Sequence, residues 1–140
     1  MFEKILLAVD GSEHGLHAAR MAANLARTMN TKELRIVVAY EPVPLYIGDP
    51  YIQYAIDARL KDSQVILQKA LETVGEIPGK LHTELLEGSP AEAIVNVAVA
   101  RQSDVIVMGS RGLGRLVGAV LGSTSQKVVA HAPCPVLIVR

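Results

Sequence analysis

The chain has no tryptophan, one phenylalanine and one cysteine among its 140 residues. It has no excess charge of either sign: basic and acidic residues number 14 each. Each absence excludes something. Without a basic surplus there is no electrostatic ground for a nucleic-acid partner or an anionic membrane. Aromatic residues make up 4% of the chain, too few for a base-stacking platform. No apolar run approaches the ~20 residues of a membrane span. Met1-Phe2-Glu3-Lys4 leads into a strand rather than a secretory leader, so the expected location is cytoplasmic. A lone Cys134 cannot close an intrachain disulfide, which suits a reducing compartment. It lies between Pro133 and Pro135 with no base beside it, and reads as a packing residue rather than a nucleophile.

What is present is apolar and regular. Half the residues are hydrophobic and a fifth charged, the composition of one globular domain over 1–140. Lys4 to Asp10 reads as a buried strand. Gly11-Ser12 turns the chain into a helix with Leu16, Ala19, Ala22, Ala23 and Ala26 on one face. A second strand covers Leu34 to Tyr40. The proline-rich stretch from Glu41 to Pro50 is a loop, and a long helix runs from about Tyr51 to Val74, ending at Gly75. Leu81 to Glu87 alternates like a half-exposed edge strand. Ser89-Pro90-Ala91-Glu92 is a capping box with proline at the first helical position. Val105 to Met108 is a buried strand, Ser123 to Gln126 reads as a second capping box with Ser123 as N-cap, and Val136 to Val139 is the last strand. Strict alternation of strand and helix implies a doubly wound parallel sheet with helices on both faces, an α/β fold.

The segment after the fourth strand carries the chemistry. It runs Gly109-Ser110-Arg111-Gly112, then nine residues, then Gly122-Ser123. A strand, a glycine-rich loop and a helix N-terminus together present backbone N–H groups and positive potential to an anion. Glycine at 109, 112 and 122 would let phosphate oxygens reach the main chain, and Ser123 adds a hydroxyl. The spacing is not that of a Walker A loop, because Ser123 follows Gly122 where lysine belongs. It is not a dinucleotide fingerprint either, because Val117 stands where the third glycine is needed.

Gly-x2-Gly-x9-Gly-Ser, with Ile5-Leu6-Leu7-Ala8-Val9-Asp10-Gly11-Ser12-Glu13 at the start, resembles the ATP-binding subgroup of the universal stress proteins. The resemblance covers essentially the whole chain. It implies five strands in the order 3-2-1-4-5, a Rossmann-like sheet whose switch point lies between the first and fourth strands, with Asp10 facing Gly109 there. It implies adenine and ribose contacts from Ala8, Val9 and Asp10, an apolar adenine contact from Ala39 (or Tyr40), and packing of Met108 near the base or ribose. Gly109, Gly112, Gly122 and Ser123 match the triphosphate positions, Thr124 and Ser125 are adjacent donors, and Arg111 and Arg115 are placed to steady the phosphates. The implied cofactor is ATP with Mg²⁺, the implied activity a nucleotide-dependent switch in stress response. The implied assembly is a homodimer through the apolar C-terminal strand, an unprotected edge in that order.

Alternatives stay open. A slow ATPase or self-phosphorylating protein would need a water-positioning group, and Asp10 is the one acid available. A stress scaffold that binds no nucleotide is the third reading. His14 and His17 have helical spacing for a shared metal but no third ligand beside them, and a solvated helix face is the plainer reading. Gly11-Ser12-Glu13-His14-Gly15 is not a nucleophile elbow. Ile47, Ile52 and the tyrosines 46, 51 and 54 read first as packing on the sheet, and otherwise as a cover for nucleotide or a partner.

Overall fold

The structure, a computed structural model, describes residues 2–110 and 121–140. Strands and helices alternate along it: β1 (Lys4–Ala8), α1 (Glu13–Met29), β2 (Glu33–Tyr40), α2 (Tyr51–Val74), β3 (Lys80–Glu87), α3 (Pro90–Ala100), β4 (Val105–Gly109), α4 (Ser123–His131) and β5 (Val136–Val139). A single 3₁₀ turn, Leu45–Ile47, interrupts the loop before α2. The sheet is parallel throughout, in the order β3-β2-β1-β4-β5. The expected order holds. The unbroken apolar run of β1 belongs to the central strand, and the alternating β3 is an edge.

The sheet separates two cores. Ile5, Leu7 and Val9 face α1 and α2, and Leu6 and Ala8 face α3 and α4. Helix α1 meets the sheet through Ala18, Ala19, Ala22, Ala23 and Ala26, each at most 1% exposed. Small side chains there let the helix lie close to the strands. Leu16, expected on that face, is half-buried, and Ala18 takes a full place in the core. At the opposite end of the sheet Asp104 Oδ2 accepts the N–H groups of Glu3 (3.0 Å) and Lys4 (2.8 Å), fixing the start of β1 to the start of β4.

Helix ends follow local chemistry, with two corrections. Ser12 caps α1 by accepting the Gly15 N–H at 3.1 Å. Gly75 ends α2 at φ +65°, a backbone glycine adopts freely. The cap of α4 is Gly122, not Ser123: Gly122 is extended, and its carbonyl accepts the Gln126 N–H at 3.0 Å. Ser123 is therefore already inside the first turn. Gln126 spends its amide on the Leu121 carbonyl (2.7 Å), so the reciprocal box does not form. Ser89 occupies the cap position of α3, but its side chain makes no capping bond.

Candidate functional site

In a doubly wound sheet the usable crevice opens at the carboxyl ends of the strands where the order reverses. Here that point lies between β1 and β4. The register pairs Ala8 with Met108 across it, and Ala8 with Val37 on the other side. Side chains alternate faces, so Ala39 shares the face of Val37. Ala8, Ala39 and Met108 thus lie on one face of the sheet, at its carboxyl edge, on the side of α3 and α4. They form a small apolar floor that is largely covered, Ala8 being 7% and Met108 5% exposed and Ala39 half-buried.

The start of α4 closes the end of this floor. Gly122 N–H donates to the Ser110 carbonyl at 2.8 Å, which brings the helix N-terminus to the end of β4. The first N–H groups of a helix have no partner within it and carry partial positive charge. Ser123 is exposed and Thr124 half-buried. Ser125 is 3% exposed, and its hydroxyl donates to the Gly109 carbonyl at 2.8 Å. That hydroxyl braces the loop start against the helix. Arg111, Gly112 and Arg115 lie outside the described residues.

The remaining expected contacts divide. Val9 turns its side chain into the α1–α2 core and donates its N–H to the Val37 carbonyl at 3.1 Å. The strand ladder stops at Ala8, so Val9 and Asp10 belong to the turn rather than to the strand. Asp10 is exposed, and its Oδ1 accepts the Ser12 N–H at 2.9 Å, shaping the turn into α1. Continuing the Ala8–Met108 register places Val9, not Asp10, level with Gly109.

The space against Gly109 belongs to α1. A Cβ added there would lie 2.8 Å from His14 Cβ, 2.9 Å from His14 C and 3.0 Å from Gly15 N. Glycine at this position is required by the packing of helix on strand, whatever a ligand demands. The same approach brings His14 Nδ1 to 2.7 Å from Ser110 Oγ. One turn on, His17 Nδ1 lies 2.8 Å from the Arg140 carbonyl, which can only accept, so Nδ1 carries the proton. The two rings stack at 6.1 Å and 20°. Among the described residues no group of three His, Cys, Asp or Glu is placed to hold a metal ion. Sequence reasoning missed His14 as a residue of this crevice, because its partner is 96 positions away.

Elsewhere, burial and the charge of Asp104 push the Cys134 thiol up, with a backbone hydrogen bond at Ile106 acting weakly in the other direction. The thiol packs against the α3–α4 core, as expected of a packing residue. The tyrosines do not pack on the sheet. Tyr46 is 90% exposed, Tyr51 and Tyr54 67% each, so all three stay out of the core. Among the described residues no helix is long and apolar enough to cross a membrane.

The sequence profile of the universal stress protein family matches residues 1–140. A universal stress protein of Thermus aquaticus, encoded in the 3′ region of a QAH/OAS sulfhydrylase gene, is 47% identical over the full length of both chains. The universal stress protein UspA of Lactobacillus plantarum superposes with a TM-score of 0.87 at 27% identity, over 99% of this chain and 98% of that one. A universal stress protein in complex with cAMP superposes at 0.66 and 28% identity, over 99% and 97%. With the strand order in agreement, the chain belongs to the universal stress protein family.

Proposed function

We propose that this universal stress protein is a cytoplasmic adenine-nucleotide switch that binds ATP with Mg²⁺ between β1 and β4 and pairs as a homodimer through β5. One observation carries the reading: the Ala8, Ala39 and Met108 floor ends at the N-terminus of α4, where the Gly122–Ser110 bond holds the helix start against β4. A flat apolar base suits the floor, and phosphates suit unpartnered N–H groups with the exposed Ser123 beside them. Asp10 stands on the same rim as an acceptor for ribose hydroxyls. Mg²⁺ would be carried by the phosphates, because the protein donors here are N–H and O–H groups rather than a carboxylate cage. A cAMP complex of a structurally similar relative supports an adenine ligand. Nucleotide state would then act on association through its different affinity for the two assembly states.

The test is a thermal melt of wild type, Gly122→Val and Ser123→Ala, each alone, with Mg-ATP and with cAMP. At ligand near ~100 times its dissociation constant, wild type gains about 2.7 kcal/mol, or roughly 8–13 °C. Gly122→Val loses the shift by placing a branched side chain at the phosphate position. Ser123→Ala keeps part of it. An equal shift in wild type and a folded Gly122→Val protein refutes the site, and no shift in any protein favours the scaffold reading.

The His14–Ser110 pair favours a second reading, self-phosphorylation, since it sets a hydroxyl beside a base at the crevice. Against it, Ser110 is 5% exposed, which leaves its oxygen poorly open to an incoming phosphorus. Phosphate release above about 1 s⁻¹, or a phosphorylated Ser110 peptide after incubation with Mg-ATP, would replace the switch by an enzyme.

A further inference from the structure

The sheet has a second concavity on its other face. Between the first turn of α1 and the middle of α2 lies a cleft of about 200 Å³. Gly11, Ser12 and Gly15 line it on the α1 side, and a Cβ at Gly11 would lie 3.1 Å from Ile66 Cγ1 across it. Its walls are Leu16, Val65, Ile66 and Ala70. Val9 lines the cleft from the α1–α2 side of the sheet, while Ala8, the neighbouring residue, faces the α3–α4 side, where the proposed nucleotide crevice lies. The two hollows are therefore separated by the thickness of β1.

The lining combines apolar surface with one cation. Val65 is 62% exposed, an apolar wall facing water. Lys69 lines the cleft one helical turn further along, and it forms no ion pair among the described residues. No carboxylate lines the cleft to neutralise it. A cavity of roughly 150 Å³ with apolar walls already admits a benzene-sized molecule, so this volume suits a chain of about six carbons. The exposed ammonium of Lys69 favours an anion at the other end of the ligand. We infer that the cleft between α1 and α2 is a binding site for a small amphipathic carboxylate, its apolar chain between Leu16 and Ile66 and its carboxylate at Lys69. Charge and shape agree on this class: Lys69, exposed to water, is the one charged side chain of the lining, and apart from Ser12 the other side chains there are apolar.

Hexanoate and its neutral analogue 1-hexanol are the probes, titrated into ¹⁵N-labelled protein without nucleotide and followed by amide shifts. Hexanoate should give saturable shifts centred on Gly11, Ser12, Gly15 and Ile66, with a dissociation constant of order 1 mM. Hexanol should bind about three- to fivefold more weakly, the scale of a water-exposed ion pair. Lys69→Gln should abolish that preference while leaving hexanol binding intact. Val65→Glu, at an exposed position that tolerates charge, should weaken hexanoate more than Lys69→Gln does. The inference is overturned by non-saturating shifts at these amides, by shifts centred on Ala8 and Met108 instead, or by equal preference for the two probes in wild type and Lys69→Gln. Since no nucleotide is present, this result and that for the ATP site stand or fall separately.

Discussion

Gly109→Ala separates two reasons for a glycine at the start of the Gly-x2-Gly-x9-Gly-Ser motif. If the residue serves ligand approach alone, alanine should leave the ligand-free protein untouched and weaken nucleotide binding. The structure gives a different magnitude. The new Cβ would meet His14 Cβ, His14 C and Gly15 N at 2.8–3.0 Å. Two of these are backbone atoms of α1, and the third is the root of a side chain, so none can swing away. Overpacking of this kind costs about 1–3 kcal/mol. Pushing α1 back also stretches the 2.7 Å contact between His14 and Ser110, a further loss of about 1 kcal/mol. The sum, about 2–4 kcal/mol, lowers the melting temperature of a domain this size by roughly 6–20 °C. Gly122→Ala provides the contrast: φ there is −62°, open to any residue, and the loss is that of a capping preference, under about 1 kcal/mol. Thermal and urea melts without nucleotide measure both. A Gly109→Ala protein as stable as wild type, or less perturbed than Gly122→Ala, would refute the packing account.

The other expectations are quicker to check. Leu137, 36% exposed on edge strand β5, should lie within the proposed pairing surface, so Leu137→Asp should turn a dimer into a monomer by light scattering; a wild-type monomer at micromolar concentration, or an undisturbed mutant dimer, counts against it. Ser12→Ala removes the acceptor for the Gly15 N–H and should cost about 1 kcal/mol, read as a lower urea midpoint with an unchanged slope. Because burial and Asp104 raise the Cys134 pKa, less thiolate is present at neutral pH, and Cys134 should react with a disulfide reagent more slowly than a free cysteine; Asp104→Asn should speed it, and an unchanged rate would remove Asp104 as a cause.

Much of the architecture was legible because its signals are local. Pro50 and Gly75 bound α2 in the sequence as they do in the structure. The apolar run of β1 and the alternation of β3 separated centre from edge. Strand order had no such local mark and came through family resemblance. The site was legible as a motif and less so in its details. Gly122 and Ser123 are both good capping residues, and propensity alone favoured the serine; the bond from Gly122 to Ser110, a contact between two loop ends, decided otherwise. Ser125 reads as a donor beside the phosphates, and the bond of its hydroxyl to the Gly109 carbonyl, 16 residues back, had no mark in the sequence. His14 carried no signal, since its role exists only once α1 lies across the end of β4. The tyrosines read as sheet packing because they stand among isoleucines in an apolar stretch, yet Tyr46, Tyr51 and Tyr54 are all exposed.

The central position of β1 has a consequence for biosynthesis. Its second hydrogen-bonding edge is completed by β4, with Ile5 opposite Val105, and the Asp104 carboxylate that holds its first amides comes from 100 positions downstream of Lys4. A ribosome adding ~5–20 residues per second needs several seconds to supply that partner. During this interval α1, β2 and β3 can assemble around β1, but one side of Ile5, Leu6 and Leu7 remains an open apolar edge. The nascent chain is therefore exposed to wrong strand pairing until β4 is made. Chaperones that shield extended apolar segments should act on it before residue 105 emerges and release it soon after.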